Sequence, residues 1–265
     1  MATSANERFA VVTGASSGIG YHLARVFAKN RFDVLVTSED ANLSQAARDI
    51  ESEGAKVYSV QADLRKYDEV EKLWKAVLDT GRPVDAIAIN AGVGVAGDFA
   101  RETGLQEELD LIELNVTSSV HLAKLAAKPM VARGAGRILI TSSIAGTMPT
   151  PLEAVYGASK AFLLEFAQSL RYELKDTGVT VTALKPGPTD TNFFHRAGMD
   201  NTEVGQKGKE TNDPADVAQQ GFDALMKGEQ EVFASSLKTK AEGVMGRIMP
   251  DSVKAAMHEK MAREK

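Results

Sequence analysis

Phe9-Ala10-Val11-Val12-Thr13-Gly14-Ala15-Ser16-Ser17-Gly18-Ile19-Gly20 is the stretch that decides the fold. An apolar, β-branched run of strand length meets three glycines, and a helical pattern follows from Gly18 to Asn30. Glycines let a chain turn sharply and bring its backbone close to a ligand, and a helix opening at such a turn points unpaired N–H groups outward. That combination suits a pyrophosphate. The spacing Gly-x-x-x-Gly-x-Gly differs from the commoner Gly-x-Gly-x-x-Gly, and by itself it also fits a plain flexible turn.

Outward from this stretch, short apolar runs alternate with helical patterns. The strand candidates are Phe9 to Thr13, Phe32 to Thr37, Lys56 to Val60, Val84 to Ile89, Gly136 to Ser143, Val179 to Leu184 and a weaker Glu231 to Ala234. Helical segments fall at Gly18 to Asn30, Leu43 to Glu53, Asp68 to Thr80, Leu105 to Ala132, Val155 to Asp176 and Pro214 to Met226. Such alternation implies right-handed βαβ crossovers, and therefore a single doubly wound α/β domain over residues 1–265 with a parallel seven-stranded sheet and helices on both faces. Ligands of such sheets bind beyond the carboxyl ends of the strands. The unusual residues fall there: Thr13-Gly14, Asp63, Asn90-Ala91-Gly92, Ser142-Ser143 and Pro186-Gly187 follow the first, third, fourth, fifth and sixth strands.

Bulk properties exclude several classes. With 265 residues, 43% hydrophobic, the chain can bury a large core. A net charge of -5 and a pI near 5.5 provide no basic field for nucleic acid. Without cysteine there is no disulfide, thiolate nucleophile or Cys-based zinc site. His22, His121, His195 and His258 have no metal-ligand spacing and read as surface or packing residues, so no metal site is expected. The start MATSANERF has no signal-peptide character and no apolar run spans a bilayer, so the expected location is cytoplasmic.

Tyr156 and Lys160 stand four residues apart on one face of the helix that opens near Val155. A nearby cation lowers a phenol's pKa and lets it exchange a proton near neutral pH, although the same spacing fits a surface pair. Ser143, thirteen residues earlier, could hydrogen-bond the oxygen that Tyr156 serves. Ser142 competes with it, because neighbouring strand residues face opposite sides. Asn115 is a poor helix former within a helical segment, read either as a satisfied polar residue or as a local break that holds a water.

Together these residues resemble the short-chain dehydrogenase/reductase family, of Rossmann type, over Arg8 to Thr191. The resemblance rests on TGASSGIG, Asp63, Asn90-Ala91-Gly92, Asn115, Ser143, Tyr156 with Lys160, and Pro186-Gly187 followed by Thr191. It implies an NAD(P)-dependent oxidoreductase that interconverts a carbonyl and an alcohol. Tyr156 would be the general acid in reduction and the general base in oxidation, Lys160 would lower its pKa and hold the nicotinamide ribose, Ser143 would orient the substrate oxygen, and Asn115 would support a water relay. Cofactor contacts are implied at Gly14, Ser16, Ser17, Gly18, Ile19, Gly20, Ser38, Glu39, Asp63, Leu64, Asn90, Ala91, Gly92, Pro186, Gly187, Thr189 and Thr191, besides Tyr156 and Lys160. Asp63 would hydrogen-bond the adenine, Asn90 brace the sheet and Thr191 contact the carboxamide. A homodimer or homotetramer is implied through the helices that contain Asn115 and Tyr156. A regulator that binds NAD(P) without turnover is the alternative.

Ser38 occupies the position where NAD-preferring relatives carry Asp, and Glu39 that where NADP-preferring ones often carry Arg. No cation is evident to offset Glu39, so the reading leans to NAD. On the substrate side Gly94, Val95, Ile144, Met148, Leu152, Phe193 and Phe194 would form an apolar wall for a hydrophobic carbonyl or alcohol. The segment 188–212 reads as a lid or a surface loop. The extension 237–265, with Met245, Met249, Met257 and Met261 at helical spacing and Pro250 between them, reads as a helix packed on the body or on a neighbouring subunit rather than on a membrane.

Overall fold

The computed structural model describes residues 6–199, 201–203, 206, 212–234 and 250–263. Seven strands form one parallel sheet: β1 (Arg8–Thr13), β2 (Phe32–Ser38), β3 (Val57–Gln61), β4 (Ala86–Ile89), β5 (Gly136–Thr141), β6 (Val179–Pro186) and β7 (Glu231–Ala234), ordered β3-β2-β1-β4-β5-β6-β7. The helices are α1 (Gly18–Lys29), α2 (Leu43–Glu51), α3 (Tyr67–Asp79), α4 (Leu105–Ile112), α5 (Ser118–Arg133), α6 (Ala154–Glu173), α7 (Phe193–Arg196), α8 (Pro214–Lys227) and α9 (Asp251–Ala262).

The strands are apolar on successive residues because both faces are covered. Phe9 and Val11 of β1, with Ile87, Ile138 and Val181, pack on one face against Leu73 and Trp74 of α3, Leu122 and Met130 of α5 and Leu163 of α6. Ala10 and Val12, with Val34, Ala88 and Leu139, pack on the other against Leu23 and Phe27 of α1, Ile50 of α2 and Phe222 of α8. Phe27 meets Phe32 at 5.1 Å and Phe222 at 5.2 Å between ring centres, both edge to face. Pairs of this kind contribute about 0.5–1.5 kcal/mol each beyond their burial, and these join α1, β2 and α8.

Local signals fix the helix ends. Asp213 accepts from the Ala215 N–H at 2.7 Å, Pro214 opens α8, and Gly228 at φ +68° ends it. Gly134 at φ +73° ends α5. The chain winds outward from β1 to β3 and then returns to β4 on the other side of β1, so a crevice opens between the carboxyl ends of β1 and β4.

Two expectations change. The strand expected to reach Ser143 stops at Thr141, because the chain there turns into a 3₁₀ segment, Ile144–Thr147, with Ser143 Oγ accepting from the Ala145 N–H at 3.1 Å. The helix expected unbroken from Leu105 to Ala132 contains a π-helical turn, Glu113–Thr117, with Asn115 inside it. The segment 188–212 contains the short helix α7, and Ala197 and Met199 beyond it pack with Phe194 and Ala262. Met245 and Met249 lie outside the described residues.

Candidate active site

At the end of β1 each glycine has its own reason. Gly14 (φ +68°) and Gly18 (φ +57°) adopt the left-handed backbone, whereas Gly20 is needed for space: a Cβ there would stand 2.2 Å from the Gly14 carbonyl oxygen. Ser17 precedes α1 without capping it through its side chain, and the first turn of α1 contains no acidic residue. The N–H groups of that turn are thus presented for an anion, and a dinucleotide pyrophosphate fits the cradle.

Thr13 and Asn90 lock β1 to the loop after β4. Thr13 Oγ1 accepts from the N–H groups of Asn90 and Ala91, each at 2.9 Å. Asn90 Nδ2 donates to the Thr13 carbonyl at 3.1 Å, and Asn90 Oδ1 accepts from Thr141 Oγ1 at 3.2 Å. One amide therefore spans β1, β4 and β5 beside the crevice.

Beyond β2, Ser38 Oγ lies 3.0 Å from Ser16 Oγ. The sequence showed no cation near Glu39, but the fold brings one there. Arg65 Nη2 donates to Glu39 Oε2 at 2.9 Å, and Arg65 Nε donates to Asp63 Oδ1 at 2.8 Å. This guanidinium holds the Asp63 carboxyl below the ordinary carboxylate range. Nearby, Arg196 of α7 donates to Asp40 at 2.7 Å, tying α7 to the loop after β2.

The two serines differ in their partners. Ser142 Oγ donates to the Lys160 carbonyl at 2.6 Å and is spent on holding α6. Ser143 Oγ accepts from the Ala145 N–H, which leaves its own hydrogen to be donated to Tyr156 or to a ligand oxygen. Tyr156 is 8% exposed and Lys160 4% exposed, on the same face of α6. Lys160 Nζ lies 5.8 Å from the centre of the Tyr156 ring and donates to the Thr141 carbonyl at 3.2 Å.

Burial reverses the expected electrostatics. The Tyr156 phenol is pushed well above its ordinary value, first by desolvation and then by the charge of Glu153, while Ser143 works the other way. Desolvation lowers the Lys160 ammonium from 10.5 to about 8. The sequence expectation of a lowered Tyr156 pKa is therefore corrected: each group lacks water for its charged form, and Lys160 is not among the groups that shift the phenol.

Asn115 is wholly buried. In the π turn its Oδ1 accepts from the Val93 N–H at 3.0 Å, and its Nδ2 donates to the Val93 carbonyl at 2.9 Å and to Ser159 Oγ at 3.0 Å. A Cβ on Gly92 would stand 3.0 Å from Asn115 Oδ1 and 3.1 Å from Lys160 Nζ, so both polar atoms converge on that glycine.

A cavity of about 980 Å³ collects these parts. All the catalytic and cofactor-binding residues named from the sequence line it except Asn115, which lies behind Gly92. Ile144, Met148, Phe193 and Phe194 line its apolar side, but Gly94, Val95 and Leu152 do not. Gly94 is covered by Phe193, whose Cζ would be 2.7 Å from an added Cβ, and Leu152 is packed behind Phe193 and Phe194. The fold adds Glu153, Lys185 and, from α9, Lys254, Met257, His258 and Met261. Glu153 is detectable in the sequence as an acid one turn ahead of Tyr156, whereas His258 has no local signal. His258, read from the sequence as a surface or packing residue, is a packing residue: it is buried on the cavity wall, 3.1 Å from Glu153. Among the described residues no acid or histidine cluster could hold a metal ion, and no helix is long and apolar enough to cross a membrane.

Residues 8–202 match the family model described as short chain dehydrogenase. The chain is 29% identical over 259 residues to the ketoacyl reductase HetN of Nostoc sp., covering 95% of this chain and 88% of that protein. It is 33% identical over 187 residues to a 3-oxoacyl-[acyl-carrier-protein] reductase of Synechocystis sp., covering 70% of this chain and 75% of that one. Among solved structures, a short-chain dehydrogenase from Sphingobium yanoikuyae in complex with NADPH superposes with a TM-score of 0.79 at 28% identity, covering 92% of this chain and 96% of that one.

Proposed function

Because the chain belongs to the short chain dehydrogenase family, we propose that it interconverts a carbonyl and an alcohol on a hydrophobic small molecule, with Tyr156 handling the proton and an NAD(P) cofactor along the glycine cradle. One observation carries the reading: Ser143 from the turn after β5 and Tyr156 and Lys160 from α6 open onto the same cavity as Gly14, Gly18 and Gly20. The bound nicotinamide supplies or accepts the hydride. The turn Ser17 to Gly20 would hold the pyrophosphate, Ser38 and Glu39 the adenosine ribose, Asp63 and Leu64 the adenine, Lys160 the nicotinamide ribose, and Thr189 and Thr191 the carboxamide.

In reduction the carbonyl carbon gains the hydride and its oxygen takes the phenolic proton of Tyr156. A phenol kept protonated by burial is in the state this direction requires. Ser143 donates to the same oxygen and so stabilises the charge that develops there. Lys160, lowered to about 8, remains mostly cationic at neutral pH and stabilises the phenolate left behind. The Asn115 amide, fixed on both sides by Val93, holds the backbone against which Lys160 lies. Ile144, Met148, Phe193, Phe194, Met257 and Met261 favour an apolar substrate body.

For the dinucleotide, NAD is the reading. Both guanidiniums near the adenosine ribose are engaged by carboxylates, Arg65 with Glu39 and Asp63, Arg196 with Asp40. A 2′-phosphate would have to compete with those acids, whereas a ribose hydroxyl can donate to Glu39.

The test is a panel of ketones, aldehydes and secondary alcohols followed by nicotinamide absorbance with both dinucleotides. Tyr156→Phe should abolish turnover and keep dinucleotide binding, and a clear preference for NADPH in kcat/KM overturns the NAD reading. Unchanged turnover in Tyr156→Phe refutes the proton role. Binding with no turnover of any compound by the unmodified protein favours a regulator.

A further inference from the structure

The turn ahead of α6 carries a pair that the proposed reaction does not use. Glu153 is 4% exposed, and its Oε2 lies 3.1 Å from Nε2 of His258, which is itself buried on α9. Nδ1 of the same ring lies 3.1 Å from the Pro151 carbonyl oxygen. A carbonyl can only accept, so Nδ1 carries a hydrogen. The ring's other nitrogen and the carboxylate then share one further proton, and the two side chains together bear no net charge.

The backbone fixes this arrangement. Leu152 adopts φ +68°, a left-handed backbone uncommon outside glycine, and its carbonyl accepts from the Gly97 N–H at 2.8 Å. The Glu153 N–H donates to the Thr150 carbonyl at 3.0 Å, and the Glu153 carbonyl accepts from the Gly157 N–H at 2.9 Å. Glu153, Tyr156 and His258 line the same cavity, and a charge left bare on Glu153 acts to raise the Tyr156 pKa. The other charged groups on that wall are engaged elsewhere: Lys254 with Asp251 at 3.1 Å, Arg196 with Asp40 at 2.7 Å, Lys185 with Glu231 at 2.8 Å, and Lys160 with the Thr141 carbonyl.

We propose that His258 is a positioning residue for Tyr156: by pairing with Glu153 it keeps a bare carboxylate out of the phenol's field and so couples the C-terminal helix to the acid–base step. The inference rests on the Tyr156 chemistry proposed above. Without His258 the buried carboxylate stands uncompensated, and one such charge within a turn of helix raises a phenol by about one pH unit at an intermediate effective dielectric.

The measurement is the pH dependence of kcat for oxidation of whichever alcohol in the panel the unmodified protein turns over fastest. That rate rises as Tyr156 loses its proton. His258→Gln keeps an N–H for Glu153 but cannot supply the shared proton. It should move the rising limb up by about one pH unit, lowering kcat about tenfold below the limb, with KM little changed. The double variant Glu153→Gln, His258→Gln should return the limb to its original position. Glu153→Gln alone breaks the pair as surely, yet should leave the limb in place or move it down. A loose C-terminal helix would make the two single variants alike, so a raised limb in Glu153→Gln overturns the inference, as does an unmoved limb in His258→Gln. Melting temperature and nicotinamide fluorescence on binding establish that each variant is folded, and Glu153→Gln carries the test if His258→Gln is not. If the panel shows carbonyl reduction only, the same shifts are read on the falling limb of kcat for reduction, and if it shows no turnover at all the Tyr156 reading falls, and this inference falls with it.

Discussion

Lys160→Met is expected to stabilise the protein while silencing it, and the size of the gain follows from where the ammonium sits. A lysine lowered from 10.5 to about 8 by burial costs the fold about 3 kcal/mol at neutral pH, since each pKa unit is worth about 1.4 kcal/mol. Methionine has similar length and no charge, and what it gives up is the hydrogen bond to the Thr141 carbonyl, worth about 1 kcal/mol. The net gain is about 2 kcal/mol, which for a chain of this size raises Tm by about 4–8 °C. The pH dependence is the sharper signature. Below pH 8 both folded and unfolded lysine are protonated and the cost is complete; between about 8 and 10.5 only the unfolded chain binds the proton, so the original protein gains stability as pH rises; above 10.5 nothing remains to be relieved. The difference in urea unfolding free energy between variant and original should therefore be largest at pH 7 and shrink towards pH 10.5. A variant less stable than the original at pH 7, or a gain that does not change with pH, refutes the reasoning.

Gly20→Ala should abolish dinucleotide binding measured by nicotinamide fluorescence, because its Cβ would stand 2.2 Å from the Gly14 carbonyl oxygen and 2.5 Å from Asn90 Nδ2, both parts of the braced cradle. Asn115→Ala leaves the Val93 N–H, the Val93 carbonyl and Ser159 without their buried partner. At about 1–3 kcal/mol for each unpaired buried group it should cost several kcal/mol in urea unfolding, and turnover should fall with it.

Much of this arrangement was legible in the sequence, and the rest was hidden for physical reasons. The parallel sheet follows from runs such as Phe9 to Val12, whose unbroken apolarity requires cover on both faces. Gly14, Ser143, Tyr156 and Lys160 could be placed together because a doubly wound sheet brings strand ends to one edge. Strand ends were less legible, because β5 stops at Thr141 and just beyond it the Ser143 side chain captures the Ala145 N–H. The direction of the Tyr156 shift depends on excluded water, which spacing along a helix does not report. Arg65 meets Glu39, and His258 meets Glu153, only through tertiary packing, His258 from a helix about a hundred residues beyond Tyr156.

The π turn at Glu113–Thr117 also sets an arithmetic for the whole α4–α5 segment. It holds one residue more than an α-helical ladder would, and each residue advances a helix by about 100°. Removing that residue would let the ladder close, but would swing α4 about a quarter turn relative to α5 and carry the exposed Leu105 and Leu109 to another side of the molecule. The chain thus forgoes regular hydrogen bonding at one turn, and the surplus residue serves as a phase-shifter between the amide behind Gly92 and the outer face of α4.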